Sequence, residues 1–456
     1  MRKLRAAHVR FHRARPTAIS WRPSKSVIRA LAVGLAALIL VSAAGPTMAG
    51  ETRGNSAVAH FGSGPSSVVA HWSTIAMRTI ATEGLTPIPA SPLYLSFTSV
   101  AMYDAVVSIK GGFEPYALTK RPPRAGQASA EVAAGTAAYT VLRHYFSSSA
   151  ANLDQDYAAF LAQLPDGRSK DRGIVVGQAA AQAIIDLRVD DGIGAAVTLT
   201  PSDEPGAWRP TPPLMAPMAV PWLGFVRPMV LRSPTQIPLP GPDDLGSTRY
   251  ARDFQEVKDF GAVDSSLRTP QQTETARFWN DNAVAQFQAT MRSITAERGL
   301  GLVDSSRMFA LVNTAMADSL IGCWRAKYDD AYWRPITAIH LGDTDGNRAT
   351  AADPSWTPLA ATPPYPEYPS GHACIVGSVV RSLGHLFGPR RLALDVSSAA
   401  TGTSRHFDTA SQLNRETMDA RIWLGFHFRR AMTDGNRLGR TTASYVVSHE
   451  FQPVDR

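Results

Sequence analysis

Beyond residue 50 the sequence has no uninterrupted apolar run of about 18 residues, the length at which a helix becomes able to cross a bilayer. Its most apolar stretch, residues 214–226, contains Pro217 and Pro221, which an ordinary membrane-spanning helix does not accommodate. We therefore expect no membrane span in the mature chain, and the sequence excludes the class of multi-span membrane proteins.

Acidic residues are absent from the first 49 positions, whereas nine of the 46 lysine and arginine residues lie there. The rest of the chain carries 37 basic and 38 acidic residues, so the formal net charge of +8 belongs to the N-terminus. Because the body of the chain lacks the excess of basic residues that binding to a phosphate backbone requires, we expect no nucleic-acid partner.

The basic N-terminus is followed by an apolar stretch over residues 30–44 and by small residues that end at Ala49. This pattern predicts a signal peptide over residues 1–49, with cleavage before Gly50, and hence a secreted, extracellular or periplasmic protein. The segment has no Arg-Arg pair, which favours the general secretory route over the twin-arginine route. An uncleaved N-terminal anchor is the alternative interpretation.

Cysteine is nearly absent, since Cys323 and Cys374 are the two in 456 residues. In an exported protein they could form a disulfide, and two small buried thiols in helices are an equally good interpretation. The spacing of the two residues does not decide between these alternatives.

Alternation of apolar and polar residues, the pattern of a strand, is also scarce. Apolar residues instead recur at spacings of three and four, which predicts helices over residues 68–83, 92–109, 128–147, 171–189, 271–298, 304–327, 370–386, 409–423 and 428–449. We predict an all-α protein of packed helical bundles, with fewer than about a tenth of its residues in strands against a usual 20–25%.

Proline divides this helical pattern. Residues 195–245 hold more than a third of the 33 prolines and predict a long ordered excursion or linker, and residues 342–369 predict a loop. The expected organisation is a helical region over residues 50–194, the excursion over 195–245 and a C-terminal helical bundle over 246–456.

Three short segments of that bundle carry groups suited to holding a tetrahedral oxyanion. Lys327 and Arg334 lie seven residues apart, and Pro335 would end a preceding helix and direct Arg334 at its terminus. The second segment is Pro-Ser-Gly-His over residues 369–372, and the third runs from Arg421 to His427. Anions of this kind need several charge-assisted donors at once, and arginine and lysine supply them.

Local signals add to this interpretation. Ser370 precedes an apolar helix as a natural N-cap, and the first N–H groups of such a helix carry positive partial charge. Gly371 would let an oxyanion approach the backbone, and Gly425 would end or distort a helix so that His427 turns inward.

The three segments resemble the K-x6-RP, PSGH and SR-x5-H pattern of the vanadium-dependent haloperoxidases and the related type 2 phosphatidic acid phosphatases. The resemblance is strong over residues 310–445, looser over 65–190 and absent over 195–245. It implies an all-α fold of helical bundles with the active site in the C-terminal bundle. It also implies vanadate as cofactor, and hydrogen peroxide, halide and a small organic acceptor as partners.

The resemblance implies a role for each matching residue. Vanadate oxygens would be held by Lys327, Arg334, Ser370, Gly371 and Arg421. His427 would be the metal ligand, His372 the acid–base group, and Lys327 would polarise bound peroxide. Trp324 and Tyr365 occupy positions that resemble the halide pocket of the chloride-oxidising kind.

Two positions depart from the family pattern. Ala420 stands where the third segment usually has serine, and Ala431 stands where the family often has an aspartate that orients the histidine ring. A nucleophilic histidine depends on such a partner, so Ala431 counts against efficient phosphatase action. The alternatives are a secreted acid phosphatase acting through a phosphohistidine at the same site, and a helical scaffold that binds phosphate without turnover.

Overall fold

The computed structural model of the protein describes residues 67–389 and 392–454. The predicted signal peptide lies outside these residues. The first helices are α1 (Ser67–Met77), α2 (Ser91–Lys110), α3 (Ala130–Tyr145), α4 (Ala150–Ala162) and α5 (Arg168–Leu187), with a π-helical turn, Arg78–Glu83, continuing α1. The later ones are α6 (Thr248–Gly261), α7 (Pro270–Phe278), α8 (Ala283–Glu297), α9 (Leu302–Asp330), α10 (Pro335–His340), α11 (Gly371–Phe387), α12 (Ala410–Trp423) and α13 (Arg429–His449).

The prediction of an all-α fold is confirmed. Strands within the described residues are confined to one antiparallel hairpin, β1 (Leu394–Ser398) and β2 (Thr403–Phe407), in which Leu394 pairs with Phe407. The hairpin was not predicted, because five-residue strands are too short for a clear alternation.

Other differences from the predicted elements have local causes. Helix α6 was missed although its buried residues Tyr250, Phe254 and Val257 follow a helical spacing, because charged residues surround them. The helix predicted over residues 271–298 is two helices, since the Asn282 side chain accepts hydrogen bonds from the N–H groups of Val284 and Ala285 and so begins α8. Helices α4 and α10 were also not predicted.

Helix α9 lies at the centre of the fold and packs against α2, α11 and α13. Helices α11 and α13 approach each other closely through glycines. A Cβ atom on Gly439 would lie 2.1 Å from the carbonyl oxygen of Cys374, and one on Gly377 would lie 2.4 Å from that of Asn436. This contact holds the N-terminal end of α11, with Ser370 and His372, against α9 and α13.

The proline-rich residues 195–245 form irregular structure, apart from one short 3₁₀ helix, Pro221–Phe225. They pack along α9, where the buried Asp318 carboxylate accepts hydrogen bonds from the N–H groups of Met229, Val230 and Leu231. The segment is therefore held as an ordered excursion. The domain limits at residues 50, 195 and 246 stay a prediction.

One described segment, Ile88–Lys110, is long and apolar enough to cross a membrane, and 94% of its apolar window is buried inside the protein. Core helices have the same length and composition, so this segment is weak evidence for a membrane span. Both cysteines are buried free thiols.

We predict that Gly439→Ala lowers the free energy of unfolding by about 1–3 kcal/mol, because the added methyl group must push α13 away from Cys374. Alanine has a higher intrinsic helix propensity than glycine, so a loss of stability in Gly439→Ala would come from packing. Gly384→Ala is the matched control, since Gly384 also lies within a helix, α11, and an added Cβ would meet no atom closer than 3.6 Å. Urea denaturation measures both, and equal stability of the two variants would contradict the close contact.

Candidate active site

Lys327 and Arg334 come together through a turn. Helix α9 ends shortly after Lys327, and Ala331 takes a left-handed conformation (φ 41°) and donates its N–H to the Lys327 carbonyl. Pro335 begins α10, so the expectation that it ends the preceding helix is wrong, and Arg334 lies in extended backbone at the N-cap. The Lys327 ammonium and the Arg334 guanidinium lie 5.1 and 4.9 Å from the centre of the same Tyr365 ring.

The loop before α11 supplies carbonyl acceptors for these two cations. Lys327 Nζ donates to the carbonyl oxygens of Pro366 at 2.6 Å and Glu367 at 3.1 Å. Arg334 Nε donates to the carbonyl oxygen of Tyr365 at 2.8 Å. Both cations are 0% exposed. An ammonium has three N–H donors, so one donor of Lys327 is left for a further acceptor.

Ser370 caps α11 as its sequence predicts. Its Oγ accepts a hydrogen bond from the Ala373 N–H, and α11 begins at Gly371. A Cβ atom on Gly371 would lie 3.2 Å from the Trp324 ring, so glycine lets that ring pack against the start of the helix. The first N–H groups of α11 give this position the positive partial charge that anions favour.

The third segment turns inward at Gly425, which has φ 78° and comes just after α12. A Cβ atom there would lie 2.8 Å from Pro358 and Trp356, so glycine is required for both the conformation and the space. His427 beyond the turn is 1% exposed, and its Nε2 lies 3.3 Å from Arg334 Nη1.

Arg421 reaches the same region from the last turn of α12. Its Nη1 donates to the carbonyl oxygen of Trp279 at 2.8 Å, and its guanidinium lies 4.8 Å from the centre of the Phe426 ring. Arg421 is 2% exposed. Ala420 is fully buried beside it, and its side chain has no hydroxyl to replace the serine of the family pattern.

Glu367 is a site residue that the sequence analysis missed. Its Oε1 accepts a hydrogen bond from the Phe428 N–H and lies 2.9 Å from His427 Nδ1. The inference from Ala431 that His427 lacks an orienting carboxylate is therefore wrong. The acid comes from a position 60 residues before the histidine, and no spacing or period in the sequence connects the two.

His372 lies in the first turn of α11 and is partly exposed, whereas the other six predicted oxyanion-site residues are buried. Its Nε2 lies 3.4 Å from the carbonyl oxygen of Asp281. Although the residue as a whole is partly exposed, its ring is largely desolvated, and this desolvation together with the nearby Arg421 and Arg334 holds the pKa of His372 well below its usual value, so the ring is neutral near pH 7. A neutral imidazole at the edge of the site can accept a proton.

Trp324 and Tyr365 lie side by side, with ring centres 5.0 Å apart and ring planes inclined by 56°. Trp324 Nε1 donates to the carbonyl oxygen of Ala219, and the Ala219 N–H donates to that of Pro364. The proline-rich segment thus fixes both aromatic residues beside the cations.

Two buried guanidinium groups have donors without acceptors. Arg334 Nη2 and Arg421 Nε have no hydrogen-bond partner among the described residues. Burial lowers the pKa of Lys327 to about 8 and that of Arg421 to about 9, whereas it raises the pKa of Glu367 to about 8. Buried donors without acceptors are costly, and a tetrahedral oxyanion such as vanadate or phosphate would satisfy them. The donor set therefore fits such an anion.

We predict that the affinity for sulfate, whose charge is constant in this range, falls by about tenfold per pH unit between pH 8 and 9. The Lys327 pKa of about 8 means that the free protein loses this charge above pH 8 and must regain a proton to bind the dianion. Lys327→Met should weaken binding and reduce this dependence to the part that comes from Glu367 (pKa about 8) and Arg421 (pKa about 9), whereas the exposed Lys120→Met should behave as the wild type. Calorimetric titration at several pH values measures the slope, and a flat wild-type profile would contradict the prediction.

Comparisons with known proteins agree with this geometry. Residues 307–456, which contain all seven predicted oxyanion-site residues, match the model of the VCPO second helical-bundle domain. The vanadium chloroperoxidase of Curvularia inaequalis is 26% identical over a region that covers 37% of this chain and 37% of that protein's length.

Two solved structures are similar in fold. The structure of the first bacterial vanadium-dependent iodoperoxidase matches with a TM-score of 0.72 and 23% identity, over 85% of this chain and 96% of that one. A holo-type bacterial vanadium-dependent chloroperoxidase matches with a TM-score of 0.65 and 17% identity, over 81% of this chain and 94% of that one. The match over residues 307–456 shows that this region is similar to the second helical-bundle domain of the vanadium haloperoxidases, and the two solved structures show that the fold is shared with bacterial members of that family.

Proposed function

We propose that the protein is a vanadate-dependent haloperoxidase, which uses hydrogen peroxide to oxidise halide to a hypohalous-acid equivalent that halogenates organic acceptors. The observation that carries this proposal is the pair of buried donors without acceptors, Arg334 Nη2 and Arg421 Nε, beside His427. A protein that buries such donors gains most from a bound oxyanion. The basic and apolar residues 1–49 support the further proposal that the protein is exported.

The residues present would hold vanadate through two kinds of contact, one with its oxygens and one with the metal. Its oxygens would accept hydrogen bonds from Lys327, Arg334, Arg421 and the Ser370–Gly371 turn, and His427 would be the metal ligand. When bound, vanadate supplies an electrophilic metal centre that activates peroxide toward halide without changing its own oxidation state. Phosphate has the same shape and fits the same donors.

The residues around this anion would exclude water and move protons. His372 would accept a proton from incoming peroxide, since its ring is neutral and lies at the partly exposed edge of the site. Lys327, when protonated, would donate a hydrogen bond to an oxygen of the anion and withdraw electron density from it. Trp324 and Tyr365 would form the halide side of the site, where their rings exclude water.

A secreted acid phosphatase is the second candidate, and one observation favours it. The Glu367 carboxylate orients His427 as a nucleophilic histidine requires. His427 would then attack phosphorus to give a phosphohistidine. The bound phosphate dianion would raise the pKa of His372, so that this ring takes up a proton and gives it to the leaving alcohol. The same cage of donors serves both reactions.

We predict that the purified protein, with added vanadate, peroxide and bromide, halogenates an indicator such as monochlorodimedone. Hydrolysis of an aryl phosphate without vanadate should be weak by comparison, and vanadate should inhibit whatever hydrolysis occurs because both anions need the same donors. The control for each assay is Arg334→Met, which should lose both activities. Vigorous hydrolysis with no halogenation under chloride, bromide or iodide would reverse the order of the two candidates.

We predict that His427→Ala and His372→Ala fail in different ways. Loss of His427 removes the proposed metal ligand, so vanadate affinity and activity should both fall, even with vanadate in excess. Loss of His372 removes only the proton acceptor, so vanadate should still bind while turnover falls by roughly 10²–10⁴-fold.

Calorimetric titration beside the rate assay separates these effects. Residual anion affinity should persist in both variants, because the Ser370 cap and the three cations remain. Wild-type vanadate affinity in His427→Ala would remove His427 as the ligand.

A further inference from the structure

Glu367 joins the separate segments of the site. Its N–H donates to the Tyr332 carbonyl at 2.9 Å, just after α9, and its own carbonyl accepts from Lys327 Nζ at 3.1 Å. Its carboxylate forms hydrogen bonds with His427 Nδ1 and with the Phe428 N–H, just before α13. The side chain is 1% exposed. One residue therefore fixes the ammonium and the imidazole relative to each other.

The contacts of Glu367 Oε1 indicate which ring nitrogen of His427 carries a proton. This oxygen accepts the Phe428 N–H, and unless it carries the carboxyl proton itself it can only accept from His427, so that the Nδ1 atom carries the hydrogen. This holds whether the carboxyl group is ionised or carries a proton on its other oxygen.

The opposite side of the ring gives the same answer independently. His427 Nε2 lies 3.3 Å from Arg334 Nη1, and a guanidinium can only donate. Nε2 must therefore present a lone pair. With Nε2 unprotonated, the ring carries its single proton on Nδ1, the atom that faces Glu367.

We infer that Glu367 is a positioning residue that holds His427 as the Nδ1–H tautomer and leaves the Nε2 lone pair facing the oxyanion site. The inference rests on the proposed function only in assigning a use to that lone pair, since either a metal ligand or a nucleophile requires it. It also explains how the chain works without an acid at residue 431, where Ala431 is fully buried.

The test uses ¹⁵N-histidine NMR of the anion-free protein, with the His427 signal assigned from its loss in His427→Ala. In the wild type we expect Nδ1 to be protonated and Nε2 to be unprotonated. Glu367→Gln should keep this tautomer, because its amide oxygen can accept from both His427 and Phe428. Glu367→Ala should give a mixture of tautomers. A wild-type ring with its proton on Nε2 overturns the inference without any variant, even if Glu367→Ala fails to fold.

Vanadate affinity by calorimetry gives a second readout that a merely structural role would not change. Glu367→Ala should bind about 10–100-fold more weakly, the usual effect of removing a group that orients a metal-ligating histidine, and Glu367→Gln should restore binding to within about fivefold of the wild type. Unchanged tautomer and affinity in folded Glu367→Ala would overturn the inference.

Asp104→Asn is the matched control, since Asp104 is also a buried carboxylate that accepts backbone N–H groups, on α2. It should lower stability and leave the His427 tautomer and the vanadate affinity unchanged. If the tautomer responds to Glu367 while halogenation and hydrolysis are both absent, the proposed function fails and the positioning role stands. If halogenation occurs but the His427 tautomer is the same in the wild type and in Glu367→Ala, the positioning role fails and the proposed function stands.

Discussion

The fold has to bury three cations, Lys327, Arg334 and Arg421, at a place where they face one neutral histidine. Removing such charges from water costs several kcal/mol each unless they are paired. The buried carboxylate near them, Glu367, is engaged with His427 and Phe428. Backbone carbonyl groups satisfy part of the need, and donors remain on Arg334 and Arg421 that a bound anion would satisfy.

This requirement explains the surrounding architecture. The loop of residues 363–370 has to turn its carbonyl groups toward Lys327 and Arg334. Its prolines have no N–H group, so the loop has few donors of its own that could bond to these carbonyls instead. The close contact of α11 with α13 holds the helix terminus in place, and the proline-rich excursion fixes Trp324 from the other side. A preorganised set of donors of this kind would suit either of the two proposed reactions, on vanadate or on phosphate.

Much of the fold follows from local pattern. Helices α2, α9, α11 and α13 lie within a few residues of their predicted limits, because apolar spacing and caps such as Ser370 act within one or two turns. The break between α7 and α8 at Asn282 and the β-hairpin were not predicted from the spacing of apolar residues. A single capping side chain or a five-residue strand leaves little periodic signal in the sequence.

The sequence by itself determined which side chains could hold an oxyanion, since charge, capping and the glycine turn at Gly425 are local properties of Lys327, Ser370 and their neighbours. Tertiary structure alone decided how deeply these groups are buried and which partners they have. The bond from Glu367 to His427 crosses 60 residues and depends on how two loops pack between helices, so no local rule could place it. The tautomer of the histidine, and the donors left for an anion, follow from that packing.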